Sequence, residues 1–465
     1  MKVSKFKLLV VIIIGVALLT SGFGCKKGNL AAVNDLKEPV TLKYWRVFDS
    51  SDSFSEIIAS YKALHPNVKI EYRKLRYEEY EKELLQAWAE DRGPDIFTIH
   101  NTWIGKYKSK VLELPEVIKL PYVVEIDKRT KEISKADYRQ IKTITPAQLR
   151  SNFAETVYQD VVRGGKIMGL PLSVDTLALF YNRVLFDRVQ ITQIPRTWLE
   201  VKEAVKKLTL QDDEGNLVQA GIALGTSGNI NRATDVVSLL MMQNGTNMVD
   251  ASTNRATFDQ SSPYSSDKSY KPGIEAVRFY TDFAMPSKEV YSWNDEMPDA
   301  VSAFVAGRLA MMVGYSYQLP LIKTQGAKLN IGIGEVPHIN SDGSDAMGNK
   351  VNFASYWVET VAQKTKYPDY AWDFVQFASR SEHVQSYLKK TKKPSALRNL
   401  ITTQLIDPEI APFANQVLTA NSWYRGKDAL LTESVFGEMI DLVLAGKSTA
   451  SQAVSYAVRK INQTF

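Results

Sequence analysis

Strand–helix alternation near the start, a second alternating series further on, and a length of 465 residues predict an α/β protein of two lobes rather than one core. The first series opens with the β-rich run VTLKYWRVF, ending at Phe48. SDSFSEIIASYKALHP follows, where Phe54, Ile57, Ile58, Tyr61 and Leu64 fall at helical spacing. NVKIEYRKL alternates as a strand, YEEYEKELLQAWAED is helical, and PDIFTIH is a short apolar run suited to a buried strand. Such an order predicts an open, largely parallel sheet whose ligand crevice lies beyond the carboxyl ends of its strands, so the loops after Phe48 and His100 should face a site.

The second series starts after GGKIMGLPLSVDTLALFYN. It runs through helix PRTWLEVKEAVKKLT, strand AGIALG, helices ATDVVSLLMMQNG, GIEAVRFYTDFAM and DAVSAFVAG, then strands RLAMMVGY and KLNIGIGEVP. A Gly/Ser/Asp loop, HINSDGSDAMGN, precedes NFASYWVETVAQ and helix PDYAWDFVQFAS, by which the chain should re-enter the first lobe. Several passages between lobes would make a body with a hinge, because short extended segments absorb a rotation that packed helices cannot.

Composition narrows the function. Hydrophobic residues at 45% and charged residues at 23% describe a packed globular protein, neither disordered nor filling a membrane. The net charge of +6 includes Lys2, Lys5 and Lys7 of a basic leader, which leaves too balanced a surface to argue for nucleic acid. One cysteine and four scattered histidines, His65, His100, His338 and His383, provide neither a disulfide framework nor a metal cluster, and no cofactor is expected.

MKVSKFK precedes the twelve-residue apolar run Leu8 to Leu19. As a helix it would reach about 18 Å, short of a hydrocarbon core of about 30 Å, so residues 1–24 read as an export signal rather than a span, with an uncleaved anchor as the alternative. The lone cysteine, Cys25, follows Gly24 and is followed by Lys26 and Lys27. The position resembles a lipobox, where a bacterial lipoprotein is cut and lipidated, although Gly22 and Phe23 depart from the usual pattern. Residues 25–39 read as a polar, mobile tether.

Three motifs are set aside. Gly446-Lys447-Ser448 resembles the end of a phosphate loop, but Asp441 stands where the first glycine should be, so Gly446 should end one helix and Ser448 cap the next. The acidic stretch Asn340 to Asp345 misplaces Gly343 for a calcium loop, with Val351 at the position of the bidentate glutamate. Gly164-Gly165 lacks a dinucleotide fingerprint.

What remains is a set of aromatic residues at loops and strand ends: Tyr44, Trp45, Trp103, Tyr315, Tyr317, Tyr356, Trp357, Trp423 and Tyr424. A pyranose offers apolar C–H faces to flat rings and hydroxyls to Asp, Asn and Arg, so such a mixture suits a polar ligand. Asp49, Asn101, Asp175, Thr176, Asn229, Asn231, Arg232 and Arg425 are the polar candidates. Large aromatics are also core material, and Trp88, Trp198 and Trp372 are assigned to packing. Asp175 and Arg425 could equally form a structural ion pair.

The ordered set YWRVFDSSDSFSEIIASYKALHPNVKIEY, GPDIFTIHNTW, GKIMGLPLSVDTLALFYNRVLFD, AGIALGTSGNI, FVAGRLAMMVGYSY, SYWVETVAQKTKYPDYAWDFVQFAS and SWYRGKD resembles the extracellular solute-binding proteins of ABC importers, in the branch that binds maltodextrins and other oligosaccharides. The resemblance spans residues 40–465. It implies a two-lobed periplasmic-binding-protein-like α/β fold with three hinge crossings, here near Gly169–Ser173, Val336–Asn340 and Lys392–Ser395. The first lobe is then 40–171 with 338–393, and the second 172–337 with 394–465. Carried over by motif, Trp45, Trp103, Asp175, Tyr315 and Trp423 lead the ligand contacts. Trp357 and Arg425 come next, with Asp49, Asn101, Thr176, Asn231, Tyr317 and Tyr424 around them. TSGNINRATD is longer and more polar than a maltodextrin site needs, so the particular sugar stays open.

The resemblance further implies a monomeric extracytoplasmic receptor, not an enzyme, held to the membrane by lipid on Cys25 and partnered by an ABC permease. Two alternatives stand beside it. One is the same fold taking another polar solute. The other is a secreted glycoside hydrolase, which needs a pair of carboxylates roughly 5–10 Å apart; Asp49, Asp175 and Glu359 form no diagnostic pair.

Overall fold

A computed structural model describes residues 29–250, 252–262, 266–339 and 350–465. The leader, Cys25 and the acidic stretch from Asn340 to Asp345 lie outside the described residues. Among the described residues no helix is long and apolar enough to cross a membrane.

Two sheets nucleate two cores. The first contains β1 (Val40–Val47), β2 (Val68–Leu75) and β3 (Ile96–His100), mutually parallel in the spatial order β2-β1-β3. Helices α1 (Ser55–Leu64) and α2 (Tyr77–Ala89) connect them, as the alternation predicted. The second sheet holds β4 (Ala178–Asn182), β5 (Leu217–Ile222), β6 (Leu309–Gly314) and β7 (Ile331–Glu335), with β4 between β6 and β7. Around it pack α3 (Ala233–Gln243), α4 (Pro272–Asp282), α6 (Ala429–Leu444) and α7 (Ala450–Ile461), all contributing to the second core. The strand β8 (Trp357–Ala362) returns to the first sheet beside β3, with α5 (Pro368–Ala378) after it.

The sheets are less parallel than the alternation suggested. β8 runs antiparallel to β3, and β4 antiparallel to both β6 and β7. These two strands arrive from the other lobe, and a chain entering a sheet from its opposite end runs against the local direction; the short strand Leu210–Gln211 is also antiparallel to β5, as a local hairpin. Three extended segments pair where the lobes meet: Asp175–Thr176, Asn352–Ser355 and Ala420–Asn421 form a small sheet. Ser173 bridges Ser395 beside it.

The third passage comes later than Lys392–Ser395. Leu397, Leu400 and Ile401 pack in the first core, Phe413 in the second, and from Ile410 to Ala429 the contacts alternate between the two. Helical periodicity does not say which of two cores a helix will face, so this boundary was not readable from the chain.

The expected tether is also corrected. Leu30–Lys37 is a helix whose Ala32, Val33 and Leu36 are buried against Ala136. They pack on an antiparallel hairpin, Val117–Ile126 with Ile133–Lys142, that the sequence reading passed over. Two of the set-aside motifs are ordinary turns. Gly164 and Gly165, at φ 60° and 76°, join the short strands Val162–Arg163 and Lys166–Ile167, a left-handed pair that glycine adopts without strain. Gly446 follows α6, but Thr449 rather than Ser448 caps α7, accepting the Gln452 N–H in a capping box.

Candidate functional site

The site begins where β1 ends. Phe48 has φ 66°, and the Asp49 N–H donates to the Val47 carbonyl at 2.8 Å, closing a three-residue γ-turn around it. A bulky residue in this conformation is strained, a state that persists only where neighbours over-determine it. The neighbours here are ionic. Buried Asp49 accepts from Arg46 at 3.0 Å, from Lys393 at 2.7 Å and from the Tyr387 hydroxyl at 2.8 Å. Although burial pushes the other way, the Arg46 and Lys393 charges hold the Asp49 carboxyl below its ordinary range. The turn thus anchors Asp49 inward and throws the Phe48 ring outward, leaving that residue 52% exposed.

Rings gather around it. Phe48 lies nearly parallel to Tyr77, at 5.9 Å and 15°, and to Tyr317 of the other lobe, at 6.5 Å and 8°. Tyr77 lies in turn over Trp103 at 6.4 Å, and Tyr317 over Tyr315 at 5.8 Å. Trp357 stands edge-on to Phe48, Tyr77 and Trp103 at 5.5–6.2 Å, within the range where aromatic pairs attract. These residues come from the ends of β1, β2 and β3, the start of β8 and the end of β6, so both lobes contribute. His100 sits beside Trp357, its ring nitrogens 2.8 Å from the Thr102 and 3.0 Å from the Ser355 hydroxyl oxygens. Burial first, then the charges of Arg232 and Arg425, push its pKa down to about 3, so the imidazole is neutral.

Facing the rings from the second lobe is a group of four charges. Arg232, in the left-handed conformation at φ 65°, donates to Asp235 at 2.8 Å and to Glu433 at 3.1 Å. Arg425 donates to Glu433 at 2.8 Å and to Asp235. The Tyr315 hydroxyl donates to Asp235 at 2.8 Å. Despite full burial, the two guanidiniums hold the Asp235 carboxyl well below its usual range. Two arginines and two carboxylates offset one another, so the groups this wall presents, Arg232 and Glu433 over buried Arg425 and Asp235, carry no net charge. The Tyr77 hydroxyl feels the charges of Glu433, Arg232 and Arg425 across the gap.

Of the sequence candidates, Trp103, Tyr317 and Trp357 are brought together here, and Asn231 lies beside Tyr317, whose hydroxyl donates to it at 3.5 Å. Others turn inward. Trp45 packs in the first core under the Arg73 guanidinium. Asn101 donates to Asp160 at 3.0 Å, and Thr176 to the Phe413 carbonyl at 2.9 Å. Asp175 takes the Ser316 hydroxyl at 2.8 Å and backbone N–H at 3.2 Å. Trp423 packs against Phe258 and Phe436, its indole N–H on Ser238 at 3.1 Å. Tyr315 and Arg425 are fully covered and support the wall rather than line it. Tyr424 lies against Gly105, where an added Cβ would come within 2.5 Å of its ring. Phe48, Tyr77 and Glu433 were missed. Phe48 and Tyr77 do follow the carboxyl ends of β1 and β2, the positions that face a crevice in this architecture.

Residues 48–385 match the family model described as bacterial extracellular solute-binding protein. The chain belongs to that family. Among its relatives, the maltotriose-binding protein of Pyrococcus abyssi is 22% identical over 77% of this chain, which spans 65% of that protein. The multiple sugar-binding protein of Streptococcus mutans is 21% identical over 83% of this chain and 82% of its own. The cyclic α-maltosyl-1,6-maltose binding protein of Arthrobacter globiformis has the same fold, with a TM-score of 0.69 at 18% identity, covering 92% of this chain and 99% of that one. The two-lobed α/β architecture expected from the sequence is therefore that of the solute-binding family, and the aromatic cluster lies where its two lobes meet.

Proposed function

We propose that this solute-binding protein closes its lobes on a carbohydrate, an oligosaccharide in the first instance, and delivers it to an ABC permease without breaking a bond. The observation that carries the reading is the pair of parallel ring faces, Phe48 on one lobe and Tyr317 on the other. A sugar touching both faces binds the closed form better than the open one, and only such a difference can drive closure. The neutralised wall of Arg232, Asp235, Arg425 and Glu433 supports a polar, uncharged ligand over a cation or a phosphate ester, either of which would favour convergent charge of one sign. The sugar-binding relatives support the same class.

Hydrolysis is disfavoured by the same wall. A glycosidase needs one protonated carboxyl as acid; Asp235 is held ionised by two arginines, and Asp175, whose pKa burial raises to about 6, is taken up by the Ser316 hydroxyl and backbone N–H. Anchorage through a lipid on Cys25, a monomeric state and an extracytoplasmic location complete the proposal. A thermal-shift screen of the mature chain against mono- and oligosaccharides tests it, since a ligand at a hundred times its Kd stabilises by about 2.7 kcal/mol. A flat screen across sugars, or release of reducing ends on prolonged incubation, overturns it.

A further inference from the structure

Lys393 belongs neither to the rings of the site nor to its charged wall, yet it reaches toward both halves of the ring pair. Its side chain is 16% exposed, and its ammonium donates to Asp49 Oδ1 at 2.7 Å. Asp49 directly follows Phe48, and Arg46 and the Tyr387 hydroxyl take its other oxygen at 3.0 and 2.8 Å. Although burial opposes it, Tyr387 and Asp49 raise the pKa of the Lys393 ammonium, which stays charged.

The second half is reached through the backbone. Ser395 bridges Ser173 antiparallel, with the Val174 N–H on the Pro394 carbonyl at 3.1 Å and the Ala396 N–H on the Leu172 carbonyl at 3.3 Å. Continued past Val174 and Pro394, that register sets Asp175 opposite Lys393. Burial raises the Asp175 pKa, and against it act the bonds from Ser316, whose hydroxyl and N–H donate at 2.8 and 3.2 Å, and the Lys393 charge. Ser316 directly precedes Tyr317. The segment bearing the lysine is clamped in turn: Gln404 donates to the Lys393 carbonyl at 2.8 Å and accepts from the Ser395 N–H at 2.8 Å. A cation shared by two buried carboxylates stabilises both only while it lies close to each, since the attraction falls with distance.

We infer that Lys393 is a positioning residue for ligand binding: bonded to Asp49 and set opposite Asp175, it holds the Phe48 ring of the first lobe in register with the Tyr317 ring of the second. This rests on the proposal above in one respect, that these two rings touch the ligand. Lys393→Met keeps most of the apolar stem and removes the ammonium, so it should uncouple the rings, whereas Lys393→Arg keeps the charge and should preserve the link. The test places para-fluorophenylalanine at position 48 of the full chain and reads its fluorine NMR resonance without ligand. Tyr317→Ala gives the resonance of the unpaired ring, and Val384→Ala, a fully buried truncation on the helix that carries Tyr387, controls for general destabilisation.

Lys393→Met should move the resonance at least about half of the way to its Tyr317→Ala position, and Lys393→Arg should leave it near the parent's. Asp175→Asn, which leaves the bond from Lys393 to Asp49 in place, should move it in the same direction and decides alone should Lys393→Met not fold. A resonance that stays at the parent position in a folded variant of either kind, or that moves as far in Val384→Ala, overturns the inference. With a sugar found by the screen above, Lys393→Met should raise Kd about threefold or more and Lys393→Arg should recover most of that loss; a moved resonance with unchanged affinity overturns the positioning role. A flat sugar screen fails the carbohydrate reading alone, because the fluorine signal is read without ligand.

Discussion

Phe48 and Tyr317 face one another across the two lobes with their ring planes 8° apart and centroids at 6.5 Å. Each is about half exposed, at 52% and 48%, so neither is needed to fill a core. The buried Asp49 ion pairs hold Phe48 in its left-handed turn, and the Tyr315 hydroxyl bond to Asp235 secures the ring that Tyr317 lies against. Each contact ring is thus set by a buried charge behind it.

Phe48→Ala and Tyr317→Ala should each weaken oligosaccharide binding tenfold or more, roughly 1.4 kcal/mol, with little change in stability. Titration calorimetry paired with thermal unfolding checks both halves. Phe48→Gly separates strain from stacking: glycine accepts φ 66° freely, so this variant should bind as weakly as Phe48→Ala while unfolding at an equal or higher temperature.

Trp423→Ala should act on folding. Its ring packs with Phe258 and Phe436 in the second core, and truncating a buried tryptophan costs about 3–5 kcal/mol. Denaturant unfolding should show that loss, and affinity of the remaining folded protein should change less than for Tyr317→Ala.

Arg425→Met should be severe. It leaves buried Asp235 with one guanidinium instead of two, and breaking a buried charge network by removing one partner costs about 3–5 kcal/mol. Pairing it with Asp235→Asn in a double-mutant cycle should give a loss clearly smaller than the sum of the single changes.

Asp175 provides the pH test. Burial, opposed by the bonds from Ser316, raises its pKa to about 6, so folding favours the protonated form. Its contribution to stability is therefore fully present below the unfolded carboxylate range near pH 4 and is lost as pH rises through 6. Compared with Asp175→Asn, the parent should lose stability between pH 4 and pH 7, by up to about 3 kcal/mol at this shift. A parent and variant with parallel stability profiles would show that Asp175 titrates normally.

Gly105 marks a second contact between the lobes. An added Cβ would meet the outer atoms of the Tyr424 ring at 2.5 Å, so Gly105→Val should swing that ring away from Gly105 at little cost in stability, which thermal unfolding and the fluorescence of a Tyr424→Trp background check.

The alternation from Val40 to His100 determined the first sheet, because strand and helix periods are local and survive in any tertiary setting. The family was legible separately, in the ordered strings that resemble it, and the family model matches residues 48–385. Which aromatics would face the cleft was not local. Trp45, Trp103 and Trp423 look like Trp357 in sequence, yet those three are buried in the two cores and Trp357 is only partly covered, since exposure depends on what the opposite element covers. The same holds for the segment before Val40, polar enough to read as a tether until a hairpin about a hundred residues further on buried Ala32, Val33 and Leu36. Periodicity specifies an element and its apolar face; only the packed structure decides which partner that face meets, because burial is a property of two surfaces and the sequence displays them one at a time.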